Sequence, residues 1–126
     1  MTKDTLLLRQ VSPSWVQQGH VTSQLFSPTP KDQKKLSVYD GDQISAENAW
    51  KHYNGALGFD SVGVMAVSVG ECETHYLPAV ADPAPFPEHV VIDFSAFAGN
   101  RIKSKAKKLQ MAAISRGWLY QSVDTV

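Results

Sequence analysis

The residues of this sequence that could perform acid–base chemistry lie far apart along the chain. His89 is the most suitable general base, because the prolines of PFPEHVVIDF hold it at the entrance to an apolar segment. An unperturbed imidazole also titrates close to neutral pH. We favour a structural histidine that bonds to loop carbonyls, unless a partner carboxylate such as that of Asp40 or Glu71 lies nearby.

Two other kinds of chemistry have less support. The four histidines are widely spaced and form no HxH or HxxxH pair, so we predict no metal site. Cys72 stands between Glu71 and Glu73, whose charges raise the pKa of a thiol and reduce its nucleophilicity. Ser23 and Ser37 lack the glycine-flanked elbow of many hydrolases and are better explained as hydroxyls on strand faces. We predict no cofactor.

One scattered set of residues is similar to a known enzyme family. Arg9, Thr22-Ser23 and Glu71-x-Glu73 loosely resemble the arginine, serine/threonine and glutamate elements of ADP-ribosyltransferases. The resemblance implies that the arginine holds dinucleotide phosphates and that the hydroxyls support the site. It also implies that the glutamate stabilises positive charge developing on the ribose. The alternative is that these residues form ordinary surface ion pairs.

Three polar stretches offer surfaces for a binding partner: the long connection over 26–42, the proline-rich loop over 82–89 and the basic run over 101–108. Long connections within a compact domain are usually functional or mobile. We predict that a partner protein contacts these residues: Lys31, Asp32, Lys34, Lys35, Ser37, Tyr39, Lys103 and Lys107.

The basic run raises the alternative of nucleic-acid binding. Six of the twelve cations lie between Arg101 and Arg116, with no acid among them. Such residues neutralise phosphates without reading base sequence. We do not favour this alternative, because no aromatic residue is interleaved in the run and the chain has twelve acidic residues against twelve basic ones.

Composition and length predict a soluble cytoplasmic protein with no membrane partner. The 126 residues are 43% hydrophobic, which fits one globular domain over 1–126. The single cysteine cannot form an internal disulfide and fits a reducing compartment. The apolar run at the N-terminus is too short for a signal peptide, and no segment approaches the roughly 20 apolar residues of a membrane span. Oligomeric state is not determined by these features.

The periodicity of apolar residues predicts short strands and two helices. Strands are expected over 6–11, 20–26, 36–39, 61–69, 77–81, 90–94 and 118–120, with the apolar 61–69 in the centre. The helices are expected over 45–55 and 96–115. Because strands and helices do not alternate at crossover spacing, we predict an α+β fold: a mostly antiparallel twisted sheet of five to seven strands, with two helices packed on one face. A small barrel-like sheet is the alternative.

Capping residues set the predicted helix ends. Ser45 is a suitable N-cap for the first helix and Gly55 a suitable C-cap. Ser95 and Gly117 are the corresponding residues of the second helix. Single helical turns are expected over 14–19 and 70–76.

Three strings of this sequence, FSPTPKDQKKLSVYDGD, SVGVMAVSVGECE and PFPEHVVIDF, resemble a group of small, uncharacterised bacterial proteins. The resemblance implies a bacterial, cytoplasmic setting and no particular activity. An association with toxin–antitoxin or defence loci is a further hypothesis.

Our leading hypothesis is a small accessory or regulatory protein that binds a partner protein through the three polar stretches. The alternative is an enzyme in which Arg9, Ser23, Asp40, Glu71 and His89 converge in a polar pocket, with ADP-ribosyl or nucleotide chemistry. Geometry separates the two hypotheses, because an imidazole close to a carboxylate in a concave pocket favours an enzyme.

Overall fold

The computed structural model describes residues 1–29, 31 and 33–122. Its strands are β1 (Leu6–Gln10), β2 (Val16–Gln17), β3 (His20–Val21), β4 (Lys35–Asp40), β5 (Gly63–Ser68), β6 (Ala79–Ala81), β7 (His89–Asp93) and β8 (Tyr120–Gln121). Its α-helices are α1 (Ala46–Lys51), α2 (Val69–Thr74) and α3 (Asn100–Arg116). A π-helical turn (His52–Ala56) follows α1, and 3-10 turns lie at Pro13–Trp15 and Ser23–Phe26. Within these described residues, no helix combines the length and apolar character needed to cross a bilayer.

Six strands form one sheet in the order β6–β7–β4–β1–β5–β8, and β2 and β3 form a separate pair. Every pairing in the sheet is antiparallel. This architecture confirms the predicted α+β class with a mostly antiparallel sheet. The prediction that 61–69 is the central strand is wrong, since β1 and β4 occupy the centre and β5 lies beside the edge strand β8.

Apolar side chains on both faces of the sheet form two separate cores. One core contains Leu7 of β1 and is covered by α2 and α3, for example through Leu109. The other contains Leu8 and is covered by α1. Two helices therefore pack on one face, as predicted, but they are α2 and α3, and the helix predicted over 45–55 packs on the opposite face. Because neighbouring strand residues point to opposite faces, the consecutive leucines of β1 require a cover on each.

The sheet divides near its centre, between β1 and β4. These strands pair at two positions, Leu7 and Leu8, whereas β1 pairs with β5, and β4 with β7, over five positions each. Beyond Leu8 the guanidinium of Arg9 replaces main-chain pairing. Its Nη1 donates to the carbonyl oxygen of Ser37 at 2.9 Å, and its Nε donates to that of Leu25 at 2.7 Å. The divergence opens the sheet on the α1 face.

The strand predicted over 20–26 is wrong beyond its first residues. Pairing ends with β3 at Val21, and the chain then turns through a 3-10 helix. Leu25 and Phe26 are consecutive and both fully buried. A strand with one solvent-facing side cannot bury two neighbouring side chains in the same core, whereas a tight helical turn can.

Two of the four predicted helix caps are found. The Ser45 hydroxyl accepts a backbone N–H at the start of α1, and Gly117 ends α3 in the left-handed region, with φ 91°. Ser95 is not a cap, because its N–H bonds to the carboxylate of Asp93 in a turn and α3 starts later. Gly55 lies inside the π-helical turn rather than after the helix.

Candidate active site

The opening between β1 and β4 leads into a cleft of about 580 Å³ that is partly open to solvent. Its floor is formed by β1, β4 and the start of β7. Its walls come from the segment after α1 and from the proline-rich loop before β7, and they include Tyr53, Leu57, Phe59, Pro85 and Phe86. The volume is within the range of small-molecule sites in proteins.

His89 lies on the floor of this cleft as the first residue of β7, with 7% of its surface exposed. Its Nδ1 is 2.8 Å from the main-chain carbonyl oxygen of Asp82 and 3.4 Å from the carboxylate Oδ2 of the same residue. Its Nε2 is 3.0 Å from Oγ of Ser37. The ring also packs edge-on against Phe86, with 5.1 Å between centroids. Both ring nitrogens are therefore held by partners.

These contacts determine which nitrogen of His89 carries the proton. A carbonyl oxygen can only accept a hydrogen bond, so the contact with Asp82 places the proton of the neutral ring on Nδ1. Nε2 then presents its lone pair to the Ser37 hydroxyl, which donates. This is the arrangement of a general base beside a hydroxyl nucleophile. If Nε2 takes up the proton, the Asp82 carboxylate lies close to the resulting positive charge.

The pairing of β6 with β7 explains why Asp82 meets His89. Ala81 lies opposite Val90 in this antiparallel pair, which places the next residue, Asp82, opposite His89. The N–H of Asp82 donates to the carbonyl oxygen of His89 at 2.9 Å. The loop between these two residues contains three prolines, which restrict its backbone. The imidazole is therefore positioned by a stiff hairpin.

Ser37 is exposed although it lies within β4. Its neighbours Leu36 and Val38 enter the core on the α3 face. By strand alternation, the Ser37 side chain points to the α1 face, where it lines the cleft. Its hydroxyl is accessible to a molecule bound there.

Gln10, the last residue of β1, contributes a buried carboxamide to the cleft. Its surface is 5% exposed, and neither its amide oxygen nor its nitrogen has a hydrogen-bond partner among the described residues. Gln10 and Ser37 line the same cleft, although the pairing of β1 with β4 ends at Leu8. Burying such a group without a partner costs about 1–3 kcal/mol. Unsatisfied polar groups of this kind coincide with functional sites often enough to require an explanation.

Much of the remaining lining is aromatic. The Tyr39 ring lies 4.9 Å from that of Phe86, and its hydroxyl is 2.8 Å from Nδ1 of His52. Burial raises the pKa of Tyr39 well above its ordinary value, and the nearby Tyr53 and Glu88 add to the increase. Tyr39 therefore remains protonated and neutral at physiological pH.

The structure brings Ser37, Tyr39 and His89 together in the cleft, and Arg9 also borders it. Asp40 has a different role. It is 5% exposed, and its carboxylate accepts hydrogen bonds from the backbone N–H of Asp42 and the side chain of Gln43, each at 2.8 Å. Asp40 thus stabilises the turn that follows β4.

Glu71 lies outside the cleft, in the first turn of α2. Its carboxylate accepts hydrogen bonds from the N–H of Ser68 at 2.7 Å and from Arg116 at 2.8 Å. Burial acts to raise the pKa of Glu71, but the hydrogen bonds from Arg116 and Ser68 outweigh it and lower that pKa. β5, which precedes α2, is three strand positions from β7, or about 14 Å at the usual spacing. The carboxylate that approaches His89 is that of Asp82.

The ADP-ribosyltransferase-like elements are dispersed. Arg9 is bonded to main-chain carbonyls at the division of the sheet. Ser23 is exposed in a 3-10 turn, where its carbonyl oxygen accepts a hydrogen bond from the Ser27 hydroxyl. Glu71 follows Ser68, which pairs with the opposite end of β1.

The predicted partner-binding lysines are spread over the surface. Lys34 donates to the carbonyl oxygen of Phe97 at 2.9 Å, and Lys35 lies opposite Asp93 in the sheet. Lys31, Lys103 and Lys107 are exposed. Asp32 lies outside the described residues.

Two residues of the candidate site were missed by sequence reasoning: Gln10, which lines the cleft, and Asp82, which contacts His89. Gln10 is a polar residue on the same face of β1 as Leu8. Because it interrupts an otherwise apolar strand face, it could have been identified from the sequence. Asp82 begins the proline-rich loop, and only the register of the hairpin shows that it meets His89.

Cys72 does not compete with Ser37 as a nucleophile. Its side chain is fully buried in the core on the α3 face. Burial raises the pKa of Cys72 to about 12, and Glu71 and Glu73 contribute in the direction that their positions predicted. The thiol is therefore protonated at neutral pH.

Among the residues that the structure describes, no group of three or more His, Cys, Asp or Glu side chains could hold a metal ion. Comparison with known proteins finds no match, since no family model, curated protein or solved structure is similar to this chain. The bacterial setting and the partner protein therefore stay predictions, and function has to be inferred from the geometry of the cleft.

Proposed function

We propose that this protein is a hydrolase that cleaves a small carboxylic ester held in the cleft, with Ser37 as the nucleophile. The proposal is supported by one observation above all: the series Ser37–His89–Asp82 is connected through both nitrogens of the imidazole, and Ser37 and His89 line a concave site. A hydroxyl beside a base, with the base oriented by a further group, is the arrangement needed for acyl transfer.

In the first step, Ser37 Oγ attacks the carbonyl carbon of the ester while its proton passes to Nε2 of His89. The tetrahedral intermediate then breaks its bond to the alkoxide, which leaves as an alcohol with the proton from Nε2. The acyl group remains on Ser37. In the second step, water attacks the acyl-enzyme and gives its proton to Nε2, and Ser37 leaves with that proton. The products are an acid and an alcohol.

Gln10 supplies the donor that the developing oxyanion requires. Its Nε2 is a hydrogen-bond donor with no partner within the described chain, and Gln10 lines the same cleft as Ser37. The amide is buried in the free protein, so this role requires the Gln10 side chain to rotate toward the substrate carbonyl oxygen. A donor that bonds only as charge develops favours the transition state over the substrate.

The lining of the cleft limits the acyl group. Tyr53, Phe59 and Phe86 provide apolar and aromatic surface, and the guanidinium of Arg9 donates to carbonyls of the main chain. A short, uncharged acyl group fits this environment better than a carboxylate or phosphate, since burying an unpaired charge is costly.

The partner-protein hypothesis has less support in this geometry. It relied in part on the loop over 82–89, which forms a wall of the cleft and positions His89. The residues of that loop are therefore explained by the cleft, without a partner.

Hydrolysis of p-nitrophenyl acetate and butyrate, together with labelling by a fluorophosphonate, tests the proposal. We expect one label per molecule, on the peptide that contains Ser37. We expect Ser37→Ala to lower the hydrolysis rate at least about a thousandfold, because it removes the nucleophile.

Ser23→Ala is the matched control, because Ser23 is an exposed serine outside the cleft. This variant should keep both the label and the rate. Hydrolysis that survives in Ser37→Ala, or a label on any other residue, would contradict the proposal.

A further inference from the structure

A second depression, of about 300 Å³, lies on the α3 side of the molecule, away from the cleft. It is formed by the end of α2 and the first half of α3. We call it the basic groove, and its lining residues are Tyr76, Phe97, Arg101, Ser104, Lys105 and Lys108.

Three cations face the basic groove from one side of α3. Arg101, Lys105 and Lys108 are spaced four and three residues apart, which places them on the same helix face. None of them has an ion-pair partner within the described chain. Burial lowers the pKa of the neighbouring His75, and the charges of Lys108 and Lys105 lower it further. The groove is therefore positively charged and open to an anion.

Aromatic rings complete the basic groove. Tyr76 is 78% exposed, and its φ of 60° belongs to the hydrogen-bonded cap that ends α2. The Nζ atom of Lys105 lies 4.1 Å from the centroid of Phe97 and 5.6 Å from that of Tyr76, and it donates to the carbonyl oxygen of His75. Lys105 is thus held between the rings, while Arg101 and Lys108 remain exposed.

We propose that the basic groove binds single-stranded nucleic acid, with a base stacked on Tyr76 and the adjacent phosphates paired with Arg101 and Lys108. An exposed ring beside a row of cations is the combination that binds unpaired strands without base specificity. The bases of a duplex are stacked within the helix and could not reach Tyr76. This proposal is independent of the hydrolase, since the groove and the cleft share no residue.

Fluorescence anisotropy with a labelled oligothymidine of about 12 nucleotides tests the proposal, over about 50 to 200 mM salt. The variant Arg101→Gln/Lys108→Gln should bind more weakly. The slope of log K against log salt concentration should also become less steep by about 1.4, because each phosphate of a single strand that is no longer neutralised contributes about 0.7. Tyr76→Leu, which keeps an apolar side chain but removes the ring, should weaken binding about five- to 150-fold.

Lys103→Gln/Lys107→Gln is the matched control. It removes the same charge from α3, but both residues are exposed and neither lines the groove. It should change the affinity and the salt slope far less than the groove variant. Equal losses in the two double variants would overturn the proposal. So would an absence of binding at low salt, or equal competition by polyglutamate, which would instead indicate a site for acidic peptides.

Discussion

The two faces of the sheet differ in how completely they are covered. On the α3 face, a helix of 17 residues together with α2 covers a core built from Leu7, Leu36, Ile92 and other apolar side chains. On the α1 face, the helix has six residues and covers a smaller apolar cluster. The remainder of that face is the cleft, where the floor is polar.

Because of this difference, the α3 face mainly stabilises the fold, whereas the α1 face carries the polar groups of the candidate site. The α3 face buries Leu109 and Ala113 completely, and it contains few polar side chains. The α1 face keeps a carboxamide that no described residue pairs with, an accessible hydroxyl and an oriented imidazole, at Gln10, Ser37 and His89. A group that hydrogen-bonds only during a reaction lowers the stability of the folded protein in the absence of substrate. We therefore expect substitutions on the two faces to have opposite consequences.

Apart from loss of the nucleophile in Ser37→Ala, the largest effect on activity is expected for His89→Gln. Glutamine can still bond to Asp82 and Ser37, but it cannot accept a proton at neutral pH. Ester hydrolysis should fall about 10²- to 10⁴-fold, the usual contribution of a general base, while the melting temperature changes little. An unchanged rate would remove His89 from the chemistry.

Asp82→Asn is a control for His89→Gln, and we expect it to lower the hydrolysis rate much less. The carbonyl oxygen that holds Nδ1 belongs to the main chain and is retained. The lost carboxylate is 46% exposed, and such partly exposed pairs contribute up to about 1 kcal/mol. The rate should fall no more than about fivefold. A loss as large as that of His89→Gln would mean that the carboxylate, and not the carbonyl, orients the ring.

The largest effect on stability is expected on the other face, for Leu109→Ala. Leu109 is fully buried, so this variant should lose about 2–5 kcal/mol in urea unfolding. Activity per folded molecule should be unchanged, because the residue lies across the sheet from the cleft. Met111→Ala on the same helix removes an exposed side chain and should cost less than about 0.5 kcal/mol. Loss of activity in folded Leu109→Ala would show that the two faces are coupled.

A smaller effect is expected at Glu71, on the α3 side. Glu71→Gln keeps a capping side chain but loses the charge that pairs with Arg116, so it should cost about 0.2–1 kcal/mol at neutral pH. Because folding lowers the pKa of Glu71, the stabilisation is present above the ordinary carboxyl pKa and is lost as pH falls through the lowered value. Urea titrations of the parent and Glu71→Gln at neutral and at acidic pH measure this pH dependence. An equal difference in unfolding free energy at the two pH values would contradict the role of the charge.

Much of the fold could be predicted from local patterns. The α+β class follows from the short apolar segments, and Ser45 and Gly117 mark helix ends because caps act on the nearest backbone groups. Residues 61–69 are apolar on both faces, which indicates that each face of the sheet is covered by other parts of the chain. The prediction that both helices pack on one face does not follow from this pattern.

The candidate site was only partly predictable, because it depends on pairing between distant strands. The proline-rich loop identified His89 as a rigidly held base. Its neighbours Ser37 and Asp82 are set by the registers of β4 with β7 and of β6 with β7. Neither register can be derived from one segment alone. The division between β1 and β4, beside which Gln10 lines the cleft, likewise has no local signal.

If Gln10 is kept for function at a cost in stability, two glutamines of this protein should respond differently to the same substitution. The buried amide of Gln10 has no partner among the residues described, whereas the amide of Gln110 on α3 donates to the carbonyl oxygen of Val21 at 2.7 Å. Methionine matches the length and unbranched shape of glutamine without its polar atoms.

Urea unfolding and ester hydrolysis should both be measured for Gln10→Met and Gln110→Met. We predict that Gln10→Met is more stable than the parent by about 1–3 kcal/mol and hydrolyses esters about 10²- to 10³-fold more slowly. Gln110→Met should lose about 1 kcal/mol of stability and keep its activity. A Gln10→Met protein that is less stable than the parent, or equally active, would contradict the account.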